Sequence, residues 1–533
     1  MEFHISLKLT DKPLSPKLTV QLSAYRSSVF RHGASGWRCA LAVFGLVLCL
    51  SGCAAFRSYD TELRNTLDRT SGGNVDDAIK VLNSNNRGIN KDLLYYLELG
   101  MLQRLGDRYP DSQKSWMTAN TYVQAWEDTA QTNPLTLFRG AASYLINDKV
   151  RPYEGHDYEK VMLLTYITLN FLAMGDYENA RVAIKQTHEL EAVIANLRSK
   201  EVLSVEQDAL RRGAQTSFRE LNGYPVETID NPAVNALKNS YQSALAHYLA
   251  GFIYESLDEP SLAAPGYRLA NELQPNQPLL EEALRGLDLR VGAPDDGLTD
   301  VLFVIGSGTA PALQSRQFRL PISVNNTLIF IPVSFPVLVS TSSPYLPGQL
   351  KIDDGQTLTV APITSINLMA RRALKDDMPG IILRATIRST AKAVAQYQMQ
   401  HQAQKQKDSG TQLIEMTAAL ALALGSVLTE SADERTWRTL PSEIAIARGR
   451  LSAGTHTVRL QTLEGERSVR LEVSGRYSVV DLRLLRHQLF VQPPVAAHGG
   501  GGEPSAAGAA AALSTGSGQG TLEQQTHTME GPK

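Results

Sequence analysis

The sequence predicts an α+β protein of several domains, in which a stack of paired helices precedes a mixed β region with a helical hairpin and a small antiparallel sheet. Small and aromatic residues recur at the spacing of helix pairs before residue 293. Strand-like apolar runs begin near residue 298, directly after the turn-rich stretch 294–297. Alternation of apolar and polar residues between 455 and 483 is typical of antiparallel strands.

Composition shifts along the chain set the expected boundaries. We expect a signal peptide at 1–52, a helical repeat domain at 53–293, a β-rich region at 298–362, a helical hairpin at 363–431, an antiparallel β region at 432–492 that packs with 298–362, and a disordered tail at 493–533. The tail is rich in Gly, Ala and Ser, so it cannot bury enough apolar surface to fold.

An apolar run at 39–50 follows a basic segment, which is the order of a secretory signal peptide. The run ends in Leu50, Ser51, Gly52 and Cys53, which resemble the lipobox of bacterial lipoproteins. By this resemblance the signal is cleaved before Cys53, and Cys53 carries the lipid. The alternatives are a plain signal peptide or a transmembrane helix, but spanning a bilayer takes roughly 20 residues.

The residues around the lipobox also indicate compartment and charge. Ala54 and Ala55, rather than Asp, follow Cys53, which by the same resemblance favours the periplasmic side of the outer membrane.

The other two cysteines, Cys39 and Cys49, lie in the signal, so we expect neither a disulfide nor a thiolate metal site in the mature chain. The full chain has a net charge of −2 and no basic block, so we expect no nucleic-acid partner.

The helical part resembles the tetratricopeptide (TPR) pattern, in which small residues let two helices approach and aromatic residues fill the gap to the next pair. Its clearest unit runs from Ala250 to Pro275, and a generic helical bundle is the alternative. The residues expected to support the packing of the repeats are Gly100, Gly175, Gly251, Tyr254, Ala263, Tyr267 and Pro275.

Two later segments allow more than one interpretation. Residues 328–339 are strongly β in character, and two prolines confine them to a sheet edge or a bulge. That strand could dock a partner strand or be buried in its own core. Residues 411–430 are apolar enough for a membrane span, but Glu415 and the short run favour a buried helix in the hairpin.

Two stretches together resemble hallmarks of a family of Gram-negative TPR-containing outer-membrane lipoproteins. They are residues 153–159 (YEGHDYE) and 432–441 (ADERTWRTLP), and the resemblance covers roughly 54–492. The resemblance implies association with small lipoproteins that activate penicillin-binding proteins. It therefore implies a cell-envelope role without known catalysis.

The second stretch contains Arg435, Trp437, Arg438, Leu440 and Pro441, which form either a structural clamp or a contact surface, for instance for peptidoglycan. We expect Trp437 to pack under the C-terminal sheet and to join it to the helices of 363–430. In this interpretation Arg435 and Arg438 point outward.

Two other sets of residues could carry chemistry. His156, Tyr158 and Glu159 could act in acid–base catalysis, but capping of the following helix and packing by the preceding loop is the favoured interpretation. His188 and Glu191 share a helix face and could bind a metal, although a solvated face is the simpler interpretation. Because the chain also lacks nucleophile-elbow, zincin and phosphate-loop motifs, we expect no catalytic residue, metal or cofactor.

These observations favour a non-catalytic protein-interaction scaffold of the cell envelope, held to the membrane by the lipid on Cys53 and linked to peptidoglycan synthesis. Its protein partner is not identified by the sequence. The alternatives are a small-ligand or peptidoglycan-binding protein, or an envelope hydrolase.

Overall fold

All regular elements described before residue 292 are helical, and strands dominate the described chain afterwards, which confirms the mixed α+β class. The computed structural model describes residues 58–134, 151–212, 214, 216–293, 296–324, 327–339, 344–353, 355–405 and 431–496. The lipobox from Leu50 to Cys53, the apolar segment 411–430 and residues 497–533 of the predicted tail lie outside these ranges. Residues 488–496, which include the first four of that tail, form a strand.

The first seven helices are α1 (Tyr59–Ser71), α2 (Val75–Asn85), α3 (Leu93–Leu105), α4 (Tyr109–Thr132), α5 (Asp157–Ala173), α6 (Tyr177–Arg212) and α7 (Pro232–Ala236). Four more follow as α8 (Ala244–Ser256), α9 (Pro260–Leu273), α10 (Pro278–Arg285) and α11 (Leu287–Val291). Short 3-10 turns occupy Phe218–Glu220 and Val226–Thr228. At 36 residues, α6 is the longest of these eleven helices.

Helices joined by short turns pack against each other, as α3 does with α4 and α8 with α9. Glycine makes the close approach possible at two of the predicted positions. A Cβ at Gly100 would lie 2.3 Å from Nε1 of Trp116, and one at Gly251 would lie 2.5 Å from Cδ1 of Tyr267. Tyr267 itself is completely buried, so the ring has no free space into which it could retreat.

The remaining repeat positions divide into packing residues and turn residues. Ala263 and Tyr254 are buried between helices, as expected. Pro275 is exposed just beyond the end of α9, where a residue that cannot continue a helix is favoured. Gly175 has a φ of +75° in the turn between α5 and α6. It is therefore needed for its backbone conformation rather than for helix packing.

The strands are β1 (Leu298–Ser307), β2 (Ala312–Val324), β3 (Thr327–Val339), β4 (Gln349–Ile352), β5 (Gln356–Thr359), β6 (Ala361–Ser365), β7 (Glu443–Ser452), β8 (Gly454–Thr462), β9 (Gly465–Val473), β10 (Tyr477–Leu485) and β11 (Gln488–Ala496). Between β6 and β7 lies helix α12 (Ile366–Lys405). The main sheet has the strand order β11-β10-β1-β7-β6, and a second sheet has the order β5-β4-β8-β9.

The position of β10 corrects one expectation. From the alternation at 455–483 we expected residues 477–482 to complete an antiparallel sheet with the 455–473 hairpin. Instead, these residues lie in β10, which pairs in parallel with β1, with Leu302 opposite Val479. The predicted hairpin itself is confirmed as β8 and β9, which turn at Glu464 and pair Thr462 with Gly465. Every residue of β10 is buried, and a strand buried on both faces belongs in the interior of a sheet.

The strand with two prolines, β3, pairs with β2 in a separate two-stranded sheet. Pro332 and Pro336 therefore lie at a sheet edge, as expected. Val333, Phe335 and Val337 are buried, and this part of β3 is thus packed into the protein's own core.

Charged contacts join the helical part to the main sheet. Arg448 of β7 donates to Asp300 of β1 at 2.7 and 2.8 Å and to Glu255 of α8 at 2.6 Å. Arg104 of α3 forms an ion pair of 2.8 Å with Asp481 of β10. The described residues belong to one compact unit. One apolar core joins the helices to one face of the main sheet, and a second lies between the other face and the β5-β4-β8-β9 sheet. Among the described helices, none is both long and apolar enough to cross a membrane.

Candidate functional site

Both family-like stretches meet at one buried carboxylate, that of Glu159 in the first turn of α5. Its Oε1 accepts hydrogen bonds from the backbone N–H of Trp437 at 2.7 Å and from the Thr436 hydroxyl at 2.9 Å. Its Oε2 accepts from the hydroxyl of Tyr153 and, at 3.1 Å, from the backbone N–H of His156. The capping interpretation of Glu159 is therefore confirmed, and we call this region the motif junction, residues 153–159 together with 432–441.

A second buried carboxylate, on Glu98 of α3, holds the next two residues of the same stretch. It accepts from the backbone N–H groups of Arg438 at 2.7 Å and Thr439 at 3.1 Å, and from the Tyr59 hydroxyl at 2.9 Å. Burial raises the pKa of Glu98 to about 7, although these donors oppose the increase. Sequence reasoning missed this residue, whose only signal is an acidic side chain within an apolar helix.

Trp437 is completely buried, but not where we expected it. Its ring centroid lies 6.1 Å from that of Trp116 and 6.2 Å from that of Tyr166, with steep interplanar angles. It therefore packs on α4 and α5, and the expectation that it joins the sheet to the helices of 363–430 is wrong. The physical reason is that Glu98 and Glu159 draw the backbone of 436–439 toward the N-terminal helices.

Arg438 also contradicts the expectation of an outward side chain, since only 1% of it is exposed. Its guanidinium pairs with buried Asp60 of α1 and donates to the carbonyl oxygen of Ala310 at 3.0 Å. Arg435 is half-buried. It donates to Asp433 at 2.6 and 2.8 Å and lies 5.2 Å from the ring centroid of Tyr153.

The last two residues of the stretch lead the chain into the main sheet. Leu440 is completely buried, and its carbonyl oxygen accepts from the N–H of Ala310 at 2.7 Å. Pro441 packs against Gly306 of β1, where a Cβ would lie 3.2 Å from the proline ring. Residues 435–441 thus form a structural clamp between the helical part and β1.

A cleft of about 240 Å³ lies beside the motif junction and is lined by many charged side chains. The charges in it form pairs: Asp157 contacts Lys160 at 3.3 Å and Arg198 at 2.5 Å. Arg198 also contacts Glu201 at 2.8 Å and Asp377 of α12 at 2.5 Å. Burial disfavours the ionised form of Asp157, but Arg198 and Lys160 outweigh it and lower its pKa.

The helix face with His188 and Glu191 is not solvated, and the simpler interpretation is wrong here. Glu191 is buried, and the His188 ring stacks on that of His247 with centroids 4.7 Å apart. The sequence could not indicate His247, because it comes from α8, which is distant in the chain. Within the described ranges, no group of three or more His, Cys, Asp or Glu side chains has the arrangement of a metal site.

No family model matches this chain, and neither a curated protein nor a solved structure matches it.

Proposed function

We propose that this chain is a non-catalytic scaffold lipoprotein of the cell envelope, anchored by a lipid on Cys53 on the periplasmic side of the outer membrane. The anchor proposal rests on the order of the basic segment, the apolar run and the lipobox at 50–53. The link to peptidoglycan synthesis rests on the resemblance of the two stretches at the motif junction.

One observation carries the non-catalytic part of the proposal, namely how the motif junction uses its carboxylates. Glu159 and Glu98 both accept hydrogen bonds from main-chain N–H groups of the 432–441 stretch. A general acid or base must instead reach a substrate proton. In the neighbouring cleft, Asp157 and Arg198 are held by ion pairs, which favours an architectural role for these side chains.

Protein binding is supported by the helical part. The pairs α3–α4 and α8–α9 combine a buried glycine with a large ring, as TPR-like units do. On α6, Val202, Leu203 and Leu210 are more than half exposed. Leu203 and Leu210 are seven positions apart and therefore share one face of α6, and an exposed apolar face is typical of protein contacts. We therefore infer TPR-like units together with a contact surface for an envelope protein on α6.

The anchor is tested by Cys53→Ser in the native host. We expect the wild type to incorporate radiolabelled palmitate and to stay with outer membranes in high salt, because several acyl chains hold a protein firmly. The variant should lose the label and accumulate as an unprocessed precursor. Cys49→Ser is the matched control. A Cys53→Ser variant that is labelled and processed like the wild type would contradict the anchor.

The scaffold is tested in the same cells by a photo-crosslinking residue at Leu203 or Leu210, with exposed Leu463 on the β8–β9 turn as the control position. Adducts with one envelope protein from α6 only would support the proposal. Equal adducts from all three positions would contradict a specific surface on α6.

A further inference from the structure

A second cavity, of about 490 Å³, lies between α6, α8 and α9 and shares no lining residue with the cleft at the motif junction. Its described walls are mainly apolar, with Ala192 and Ala195 on α6 and Leu262, Pro265 and Leu269 on α9. Sites for small molecules typically enclose 300–1,000 Å³ with apolar walls and a few convergent polar groups. This cavity has that size and composition.

Its polar groups come from two helices. His188 and Glu191 lie on α6, and His247 lies on α8. Glu191 is 5% exposed and His247 is 2% exposed. Nε2 of His247 lies 3.1 Å from Oε2 of Glu191, and the side-chain amide of Gln242 donates to the same oxygen at 3.3 Å.

Four polar atoms at this point have no hydrogen-bond partner in the described structure, namely Nε2 of His188, Oε1 of Glu191 and both ring nitrogens of His247. A buried polar group without a partner costs free energy, and a buried carboxylate costs most of all. Such groups in a native protein call for a bound water, ion or ligand that supplies the missing hydrogen bonds.

The charge of the cavity indicates which ligand would do so. Among its described lining residues, Glu191 is the only carboxylate, and none is a Lys or Arg. Arg181 on the same helix is already engaged by Glu259 through two hydrogen bonds of 3.0 Å. The cavity thus offers hydrogen-bond acceptors and one carboxylate that no Lys or Arg among these residues pairs with.

We propose that this cavity binds a small amphiphilic amine, whose ammonium group donates to Glu191 and to nitrogens at the edges of the two stacked imidazoles, and whose apolar body contacts Leu262 and Leu269. An ammonium group has three donors, for which Oε1 of Glu191 and nitrogens of His188 and His247 are unpartnered acceptors. Burial lowers the pKa of His188, and the adjacent His247 lowers it further. His188 is consequently neutral at pH 7.5, and one of its nitrogens can accept a hydrogen bond.

The inference is independent of the scaffold proposal, and it is tested on the purified full-length chain by calorimetric titration at pH 7.5. The three probes have the same ring and differ in charge: benzylammonium, benzyl alcohol and benzoate. We expect benzylammonium to bind at least tenfold more tightly than benzyl alcohol, and benzoate to show no binding. Equal affinity for the first two probes, or a preference for benzoate, would overturn the proposal.

Glu191→Gln should weaken benzylammonium binding at least tenfold and leave benzyl alcohol unchanged. Glu189→Gln is the matched control, because this carboxylate lies on the same helix but is 59% exposed. We expect it to bind all three probes as the wild type does. An unchanged benzylammonium affinity in Glu191→Gln would overturn the proposal. If Glu191→Gln does not fold, the order of the three probe affinities for the wild-type chain tests the proposal by itself.

Discussion

Glu98 stands in the middle of an apolar helix, and its carboxylate is nevertheless completely buried. Its donors include two main-chain N–H groups of residues that lie 340 and 341 positions further along the chain. Main-chain donors have no signature in a sequence, so the partner of Glu98 could not be predicted. Glu159 could be placed correctly because part of its role, capping the helix in which it lies, is local.

The pKa of Glu98 leads to a prediction about pH. The native-state pKa of about 7 exceeds the reference value of 4.5, so the native state keeps a proton that the unfolded state releases. The stabilisation from Glu98 is therefore complete below pH 4.5 and is lost as the pH rises through 7. At about 1.4 kcal/mol for each pH unit, the loss is on the order of 3 kcal/mol.

We expect the free energy of unfolding of the wild type, minus that of Glu98→Gln, to fall between pH 5 and pH 8. Urea unfolding at several pH values measures this difference. The test is how the difference changes with pH, not its absolute size, because Glu98→Gln also removes a hydrogen-bond acceptor at every pH. Glu178→Gln, at an exposed position of α6, controls for the removal of a carboxylate. A difference that stays constant or rises with pH would contradict a proton held by Glu98.

At the scale of elements, the sequence predicts what depends on neighbours in the chain. The helix pairs follow from small and aromatic residues at repeat spacing, and the β8–β9 hairpin follows from alternation around a turn. Strand order in the main sheet could not be predicted in the same way, since β1 and β10 pair across more than 170 residues. An apolar run such as β10 indicates burial but does not identify its neighbour.

Gly251 allows a prediction for the α8–α9 pair. A side chain at this position would meet the buried ring of Tyr267 at 2.5 Å, so Gly251→Leu must separate the two helices. We expect a loss of about 2–4 kcal/mol in the free energy of unfolding, in the range of overpacked cores or somewhat above it. Thermal or urea unfolding measures this loss.

Gly348→Leu is the control, because a Cβ at that exposed glycine has no heavy atom within 4 Å. We expect this variant to unfold much like the wild type. Equal stability of the Gly251 and Gly348 variants would mean that α8 and α9 do not pack as described.

At the scale of the whole molecule, Arg448 joins three elements at once. Its guanidinium lies between Asp300 of β1 and Glu255 of α8, and it also donates to the Tyr267 hydroxyl at 3.0 Å. These groups come from regions that the sequence separates into different domains. The domain boundaries in the sequence mark changes of secondary structure, whereas the charged contacts cross them.

Arg448→Met should therefore destabilise both parts of the protein together. Removing one member of a buried ion pair leaves the other charge without compensation and typically costs about 3–5 kcal/mol. We expect the far-ultraviolet circular dichroism of the helices and the near-ultraviolet circular dichroism of the aromatic core to change in one common transition. The midpoint of this transition should lie at a lower urea concentration than in the wild type. Separate transitions for the two signals would contradict the coupling.

The matched control is Arg450→Met on the same strand. Arg450 pairs with Asp296, and both side chains are 44% exposed, so its removal should change the free energy of unfolding by about 1 kcal/mol or less. An equal effect of the two substitutions would show that burial of the Arg448 pair has no special energetic role.

The contacts of the 432–441 stretch also have a consequence for the order of events when the chain is made. Glu98, Glu159 and Asp60 each accept hydrogen bonds from residues 436–439, and β1 pairs in parallel with β10. The N-terminal helices can form early, but these carboxyl groups lack part of their hydrogen bonds until most of the chain has been synthesised. Native contacts over such distances form slowly, so completion of the interior is a late step. Incomplete chains therefore retain carboxyl groups without their C-terminal partners, which distinguishes them from finished protein.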